Sequence, residues 1–593
     1  MEGEQVVSGH ESHPRRPLRS SPRSNPRQII ERSTALLSRG LHAQALKKLT
    51  AAVAQHGENA NIVTRYADAL CCNGRLPDAT RAYRRALAID PSIFQAWFGL
   101  GFARLSLRAF SEAIPCFERA LALEPRDPDA RLHLASALFH AGEIDAAIAR
   151  ITRAANTNKL KRQALRKIAT IIPGSPSLSN RDILDARRKW ARIEERAGRL
   201  SRASKPWKNP QSVKKSVEKS AKIRIGYVSS FFQDRNWMKP VWGVINHHDR
   251  SAFEVHLFAD RGNPNAQSGY HSNRSDRIHD VTNLSNDDVA ARIRKARVEV
   301  LVDLNAYSAP QRLGIFMRRP ARNIVGWFNS FATSGIRAFT HIIGDAEVIP
   351  PSEERFYTER VLRVAGSYLA FSVLYPVPRV VPPPCLRNGY LTFGCLAPQY
   401  KITPGVIDAF ARILRGAPSA RLLLKSSFLR DSANRAAVLE KFSRKGIRRE
   451  RLRLEGPEEH YKFLKAYGRV DVALDTFPYN GGTTTMEALW QGVPVLAFSG
   501  DRWVGRISQS LLCAAGLREW VEPSLDAYIR RAVNLAQATE TRCVLAGLRK
   551  RMRPTLSRSG ACDSAQLCRG LEEHYRALSS RERAKIPSAA RSR

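Results

Sequence analysis

The sequence predicts a multidomain chain, an all-α array of repeats followed by an α/β region of two doubly wound lobes. Three observations predict it. A period of 34 residues, with no insertion, runs from Pro26 to about residue 161. At Ile223 the texture changes to short apolar runs alternating with amphipathic stretches. Residues 470–500, VDVALDTFPYNGGTTTMEALWQGVPVLAFSG, read as strand, glycine loop, helix and strand. That is a βαβ unit with its loop at the carboxyl end of the first strand.

The 593 residues exceed what one core holds, so about two to four domains are expected. No run reaches the length of a membrane-spanning helix, and the first 25 residues, rich in Ser, Pro and Arg, lack a signal peptide's apolar region. Nine cysteines are scattered without metal-ligand spacing and read as thiols of a reducing compartment. The expectation is a protein of the cytoplasm. Lys and Arg number 96 against 54 Asp and Glu, a net charge of +42, and such a field favours anionic partners. The charge is dense over residues 159–224, with KKSVEKSAK near its end, and again from Arg549. No aromatic-interleaved RNA-binding motif or zinc-finger spacing accompanies it, which argues against nucleic acid as the partner.

In chain order, the composition of the first 25 residues leads to the expectation of a disordered tail. Repeats then start at Pro26, Ala60, Phe94 and Pro128. The third is clearest, with Trp97, Leu100, Gly101, Ala113, Phe117, Ala120 and Pro125 in the signature places; the second gives Tyr66, Ala67, Gly74, Ala79, Tyr83, Ala86 and Pro91. Small residues at fixed places let paired helices approach closely, which is the tetratricopeptide pattern. Such arrays present a concave face suited to another polypeptide; the alternative is that they only buttress the α/β region. One amphipathic helix is expected over residues 181–197, followed by a polar basic linker. The α/β series begins with IRIGYVSS and FEVHLFAD, then NDDVAARIRKA as a helix, VEVLVDLNAY, RNIVGWF, HIIGD and RVLRV. PVPRVVPPP at residues 376–384 marks a boundary between lobes. Beyond it YLTFG, a helix at 404–415, ARLLLKS, a helix at 432–445, RLRLEG and a helix from His460 lead to the βαβ unit.

Four local features carry chemistry. Gly481 and Gly482 let backbone approach a ligand, and the free N–H groups of the helix opened by Thr483 and Thr484 suit an anion such as a diphosphate. An ordinary tight turn explains them too, since Thr484 and Glu487 have capping-box spacing. Lys401, in FGCLAPQYKITP, lies beyond a strand and before a helix on the same strand-end side, where it could neutralise a phosphate or simply be solvated. His460, in GPEEHYKFLKAYG, could stack on or bond a base, or be a surface histidine near a cap. Asp303 and Asn305 after one strand, with Thr333 and Gly335 after the next, could face the cleft or serve as cap and loop residues. There is no Gly-x-Gly-x-x-Gly or GxxxxGKT. The only DxD, Asp127-Pro128-Asp129, falls at a repeat boundary and reads as turn chemistry, so no metal site is expected.

Together these features resemble the O-linked N-acetylglucosamine transferases, family 41 of the glycosyltransferases. The resemblance spans about residues 26–540 and rests on IRIGYVSS, VDLNAY, RPARNIVGWFNSFATSG, Lys401-Ile402-Thr403-Pro404 and DTFPYNGGTTTMEALWQGVPV. It implies a GT-B fold of two Rossmann-like lobes. The divisions expected are a basic tail (1–25), four tetratricopeptide repeats (26–161), a basic helical linker (162–221), an acceptor-side lobe (222–380), a UDP-sugar-binding lobe (381–545) and a basic C-terminal helix and tail (546–593).

The resemblance further implies that Lys401 contacts the diphosphate, Thr483 and Thr484 hold the same phosphates, His460 lies on the nucleoside side and Glu487 stands where an Asp meets the ribose hydroxyls. It implies an inverting transfer of a sugar, N-acetylglucosamine or glucose, from a UDP-sugar to a protein acceptor held by the repeats, without a metal or other cofactor. Alternatives are a scaffold that binds UDP without turnover and a protein N-glucosyltransferase. The chain departs from animal members in four places, one being the Pro-Glu-Glu-His run ending at His460, which lacks the lysine they carry before its glutamates. FFQDRNWMKPV lacks their histidine, Gly482 replaces a His (as in bacterial relatives), and Glu31, Arg65, Gly99 and His133 stand where inner-face asparagines would be.

Overall fold

The computed structural model describes residues 25–154, 160–200 and 222–579, with side chains to residue 196 in the second stretch. The expected N-terminal tail and the basic stretch 201–221 lie outside the described residues, as does 580–593. The chain forms two compact units, one ending at Leu107 and the other starting at Arg108.

The first unit is five helices, Pro26–Ser38, His42–Gln55, Ala60–Cys72, Leu76–Ile89 and Phe94–Ser106. Their starts at Pro26, Ala60 and Phe94 keep the period of the sequence. The punctuation is chemical. Asn25 and Asn59 side chains accept from backbone N–H groups of the helices they precede, and Gly40 and Gly74, at φ +74° and +75°, stop the first helix of each pair in a left-handed turn. Ala45, Leu49 and Ala69 pack with Ile29, Leu36 and Tyr66 between the helices. Gly99 faces Tyr83, whose ring leaves no room for a Cβ and whose hydroxyl donates to Asp68 Oδ1 at 2.6 Å.

The second unit opens with helices Phe110–Leu123, Pro128–His140 and Ile144–Ala154, which carry the remaining repeat residues. Asp127 caps the Pro128 helix through Ala130 N, so the DxD is turn chemistry. Helix Asn180–Leu200 then inserts Arg187 into the α/β region. The buried guanidinium donates to Ala169 O, Ser330 O and Thr333 O at 2.6–3.2 Å and lies 3.9 Å over the Tyr307 ring.

Two all-parallel sheets follow. The first holds β1 (Ile223–Ser229), β2 (Phe253–Ala259), β3 (Arg277–Asp280), β4 (Val300–Asp303), β5 (Asn323–Gly326), β6 (His341–Gly344) and β7 (Arg360–Arg363) in the order β3-β2-β1-β4-β5-β6-β7. The second holds β8 (Thr392–Cys395), β9 (Arg421–Lys425), β10 (Leu452–Glu455), β11 (Val472–Leu474), β12 (Val495–Phe498) and β13 (Val521–Glu522) in the order β10-β9-β8-β11-β12-β13. Parallel strands covered on both faces need near-continuous apolar runs, and β1, β2, β4, β9 and β11 have them. β3, sequence RIHD, is a polar edge strand with no such signal. Strand order reverses between β1 and β4 in one lobe and between β8 and β11 in the other, and ligands of doubly wound sheets sit beyond the carboxyl ends at such points.

The chain's end returns to the first lobe. Helix Ser564–Leu578 packs on helix Arg235–His247. Glu572 there accepts from His248 Nδ1 at 2.9 Å and Asp249 N at 2.8 Å, and Leu578 O accepts from Asn323 Nδ2 at 2.8 Å. No described helix is long and apolar enough to cross a membrane.

Candidate active site

A cavity of about 500 Å³ opens beyond the carboxyl ends of both sheets. From the second lobe Pro398, Tyr400 and Lys401 follow β8, Glu458 and His460 follow β10, and Tyr479, Gly482, Thr483, Thr484 and Glu487 follow β11. From the first lobe come Asp234, Asn236, Trp237 and Pro240 after β1, Ser308 after β4, and Phe328, Asn329 and Phe331 after β5.

Lys401 ends a 3₁₀ turn, Gln399–Lys401, that enters helix Pro404–Gly416. Its residue is 9% exposed. The ammonium donates to Asn480 O at 2.6 Å and sits 4.0 Å over the Tyr479 ring. Burial pulls it down to about 8, with the Asp475 carboxylate opposing. Asp475 ends the β11 run and turns its Oδ1 to Gly481 N (2.8 Å) and Thr476 N (2.9 Å), which folds the glycine loop; burial raises it to about 6.

Helix Thr483–Trp490 starts after Gly482, and no side chain caps it. Here the structure corrects the capping-box alternative. Glu487 does not reach back to the helix start, because its carboxylate is engaged across the cleft. The first N–H groups of that helix therefore face the cavity wall without a side-chain partner. Gly481 is held close: a Cβ there would lie 2.5 Å from Thr485 Oγ1 and 2.8 Å from Thr484 Oγ1. A Cβ on Gly482 would meet only Ile507 at 3.5 Å.

Glu487 Oε1 accepts from His460 Nε2 at 2.9 Å and from Lys239 Nζ at 2.5 Å. Burial pushes the Glu487 carboxyl up, but His460 and the Lys239 ammonium outweigh it and hold it below its usual range. Burial lowers Lys239 despite this partner.

The structure thus brings Lys401, His460, Gly482, Thr483, Thr484 and Glu487 to one wall, with Gly481 directly behind. It does not bring Asp303, Asn305, Thr333 or Gly335 there. Asp303 accepts from Asn305 N and Ala306 N, and burial raises it to about 7 against those bonds. Asn305 accepts from Ser230 N, and its carbonyl takes Asn329 Nδ2, so it supports a wall residue from one layer back. Thr333 donates to Glu359, and Gly335, at φ +67°, clears the backbone of the Arg187 helix.

Sequence reasoning did not single out the aromatic wall of Trp237, Phe328, Phe331, Tyr400 and Tyr479. One signal is conformational: Phe328 and Phe331 have positive φ, a strain that clusters at ligand sites. Among the described residues, the group of His, Cys and carboxylate close enough to share a metal ion is His248, Cys568 and Glu572. None of the three lines the cavity.

The Glycosyl transferase family 41 profile matches residues 191–371 and 386–570, and tetratricopeptide-repeat profiles match 30–92, 72–114 and 104–168. A barley (Hordeum vulgare) protein named "Probable UDP-N-acetylglucosamine--peptide N-acetylglucosaminyltransferase SPINDLY" is 30% identical over 410 residues, which are 68% of this chain and 42% of that protein. An Arabidopsis thaliana protein named "Probable UDP-N-acetylglucosamine--peptide N-acetylglucosaminyltransferase SEC" is 25% identical over 60% of this chain and 37% of its own length. The chain thus spans less than half the length of these curated relatives. Among solved structures, a lysine-to-methionine mutant of Thermobaculum terrenum O-GlcNAc transferase superposes with TM-score 0.72 at 28% identity, over 88% of this chain and 97% of that one.

Proposed function

The chain belongs to glycosyl transferase family 41, and from that membership we propose that it transfers a sugar from a UDP-sugar to a Ser or Thr hydroxyl of a protein, with inversion at the anomeric carbon. One observation carries the reading. A buried ammonium, Lys401, and the uncapped start of helix Thr483–Trp490 share one cavity at the switch point of the second sheet. A diphosphate is the ligand such a pair suits, because charge and N–H donors converge on it.

In this mechanism the diphosphate is the leaving group. An acceptor oxygen attacks the anomeric carbon from the opposite face, and negative charge grows on the departing phosphate oxygens. Lys401, the Thr483 and Thr484 hydroxyls and the helix N–H groups stabilise that charge, already oriented and largely shielded from water. Lys401 supplies positive charge and the hydroxyls and N–H groups supply hydrogen bonds to the leaving group, and no divalent ion enters the proposal. His460 and Glu487 take the nucleoside side. The names of the relatives favour N-acetylglucosamine as the sugar and a peptide as the acceptor. A role for the repeats in holding that acceptor, and a cytoplasmic location, belong to the same proposal.

UDP-sugar turnover on a panel of acceptor peptides tests it. Lys401→Ala is expected to lower the rate by about 10²–10³, the worth of one leaving-group stabiliser. Equal rates in both proteins would remove Lys401 from the chemistry. Binding of UDP without transfer to any acceptor would replace the enzyme with a scaffold.

A further inference from the structure

Lys239 lies in helix Arg235–His247 of the first lobe, yet its hydrogen-bond partners are in the second. Its ammonium is 2.5 Å from Glu487 Oε1, 3.1 Å from His460 Nε2 and 4.4 Å over the Tyr375 ring, and the residue is 5% exposed. Lys239 does not line the large cavity. It lines a void of about 10 Å³ beside it, with Phe371, Tyr375, Met486 and Trp490. Glu487 lines both. The ammonium therefore meets the carboxylate from behind, as seen from the cavity, while the carboxylate faces the ligand space.

An ionised carboxylate only accepts hydrogen bonds. Lys239 and His460 both bond to Oε1, so the acceptor left for the cavity is Oε2, and its partner there must be a donor. A buried carboxylate without its cation would be costly and would tend to protonate, which turns an acceptor into a donor. Among the described residues, Lys239 is the cation of the facing lobe that pairs directly with Glu487.

We infer that Lys239 is a positioning residue of the donor site: from the first lobe it fixes the Glu487 carboxylate so that its second oxygen accepts hydroxyl groups of the bound nucleotide. The inference rests on the donor reading above. It makes the first lobe part of a subsite whose ligand contacts all come from the second, so that donor affinity depends on the two lobes being engaged.

The test is titration of the full chain with UDP, with steady-state kinetics alongside. Lys239→Met keeps the length and loses the charge. It is expected to raise the Kd for UDP and the KM for the donor by about tenfold to a hundredfold, the worth of a hydrogen bond to a charged group. The kcat at saturating donor should hold, because an interaction made equally in ground and transition state changes KM alone. Lys239→Arg is expected to recover most of the affinity, which a general loss of packing would not allow. In a Glu487→Gln background, Lys239→Met should cost little more, since its target is gone. If Lys239→Met does not fold, Lys239→Gln carries the same expectation. Wild-type affinity in Lys239→Met or Lys239→Gln, or a loss fully additive to Glu487→Gln, overturns the inference. If the wild type binds UDP and Lys401→Ala weakens it while Lys239→Met does not, this inference alone falls. If the wild type does not bind UDP, the donor reading falls with it.

Discussion

The two lobes build one cavity with aromatic rings on both sides, but its cations and threonine hydroxyls come from the second lobe. The second lobe lines it with Lys401, His460, Thr483, Thr484, Glu458 and Glu487, groups that carry charge or donate hydrogen bonds, beside the rings of Tyr400, Phe463 and Tyr479. The first lobe lines it with Trp237, Phe328, Phe331, Leu369 and Phe371, relieved by Asn329, Ser308 and the carboxylate of Asp234. Identical sheet topology at the switch points therefore delivers two kinds of recognition. One side is read by charge, and suits a phosphate-bearing donor. The other offers shape and aromatic surface, and the proposal gives it the acceptor.

That contrast can be broken in order of effect. After Lys401→Ala, the largest change expected is with pH. Because burial holds Lys401 at about 8, its charge is present below that pH and lost above it. The kcat/KM for the donor should fall as pH rises through about 8, approaching tenfold per unit; a flat profile to pH 9.5 would detach the ammonium from the reaction. Next, Trp237→Ala should raise the KM for an acceptor peptide about tenfold, as for a buried aromatic anchor, with the UDP Kd unchanged. A shift in UDP affinity instead would erase the division between the lobes. Gly335→Ala should lower the unfolding midpoint, since a Cβ there would lie 2.8 Å from the Arg187 carbonyl carbon at a φ of +67°. Donor affinity should stay put. The smallest effect is Gly482→Ala, whose Cβ meets only Ile507 at 3.5 Å; UDP titration should show nearly wild-type binding, whereas Gly481→Ala, crowded by Thr484 and Thr485, should lose it.

The features legible in the sequence divide along the same line. The repeat starts were legible because signature residues recur every 34 positions, and in three of the four repeats the caps Asn25, Asn59 and Asp127 add local punctuation. The buried strands were legible as apolar runs. β3 was not, because an exposed edge strand such as RIHD has no face to bury. The helix Arg235–His247 was not read either, with Pro240 inside it. The second lobe's candidates lie within short loops next to the strands that carry them, so chain position alone placed them at one sheet edge. Lys239 was invisible for the opposite reason: its partners are 221 and 248 residues away. The Thr484–Glu487 spacing misled because a carboxylate with a buried cation across the cleft does not turn back to cap its own helix. Asp303, Asn305, Thr333 and Gly335 were rightly seen as strand-end residues, but their polar groups are spent on the loops that shape the aromatic wall and seat Arg187.

The most direct measurement compares UDP with uridine by calorimetric titration in the wild type and in Lys401→Ala. The account predicts that the wild type binds UDP far more tightly than uridine, and that the advantage shrinks sharply in the variant while uridine binding is unmoved. Equal affinity for the two ligands in the wild type, or an advantage that survives intact without the ammonium, would contradict it.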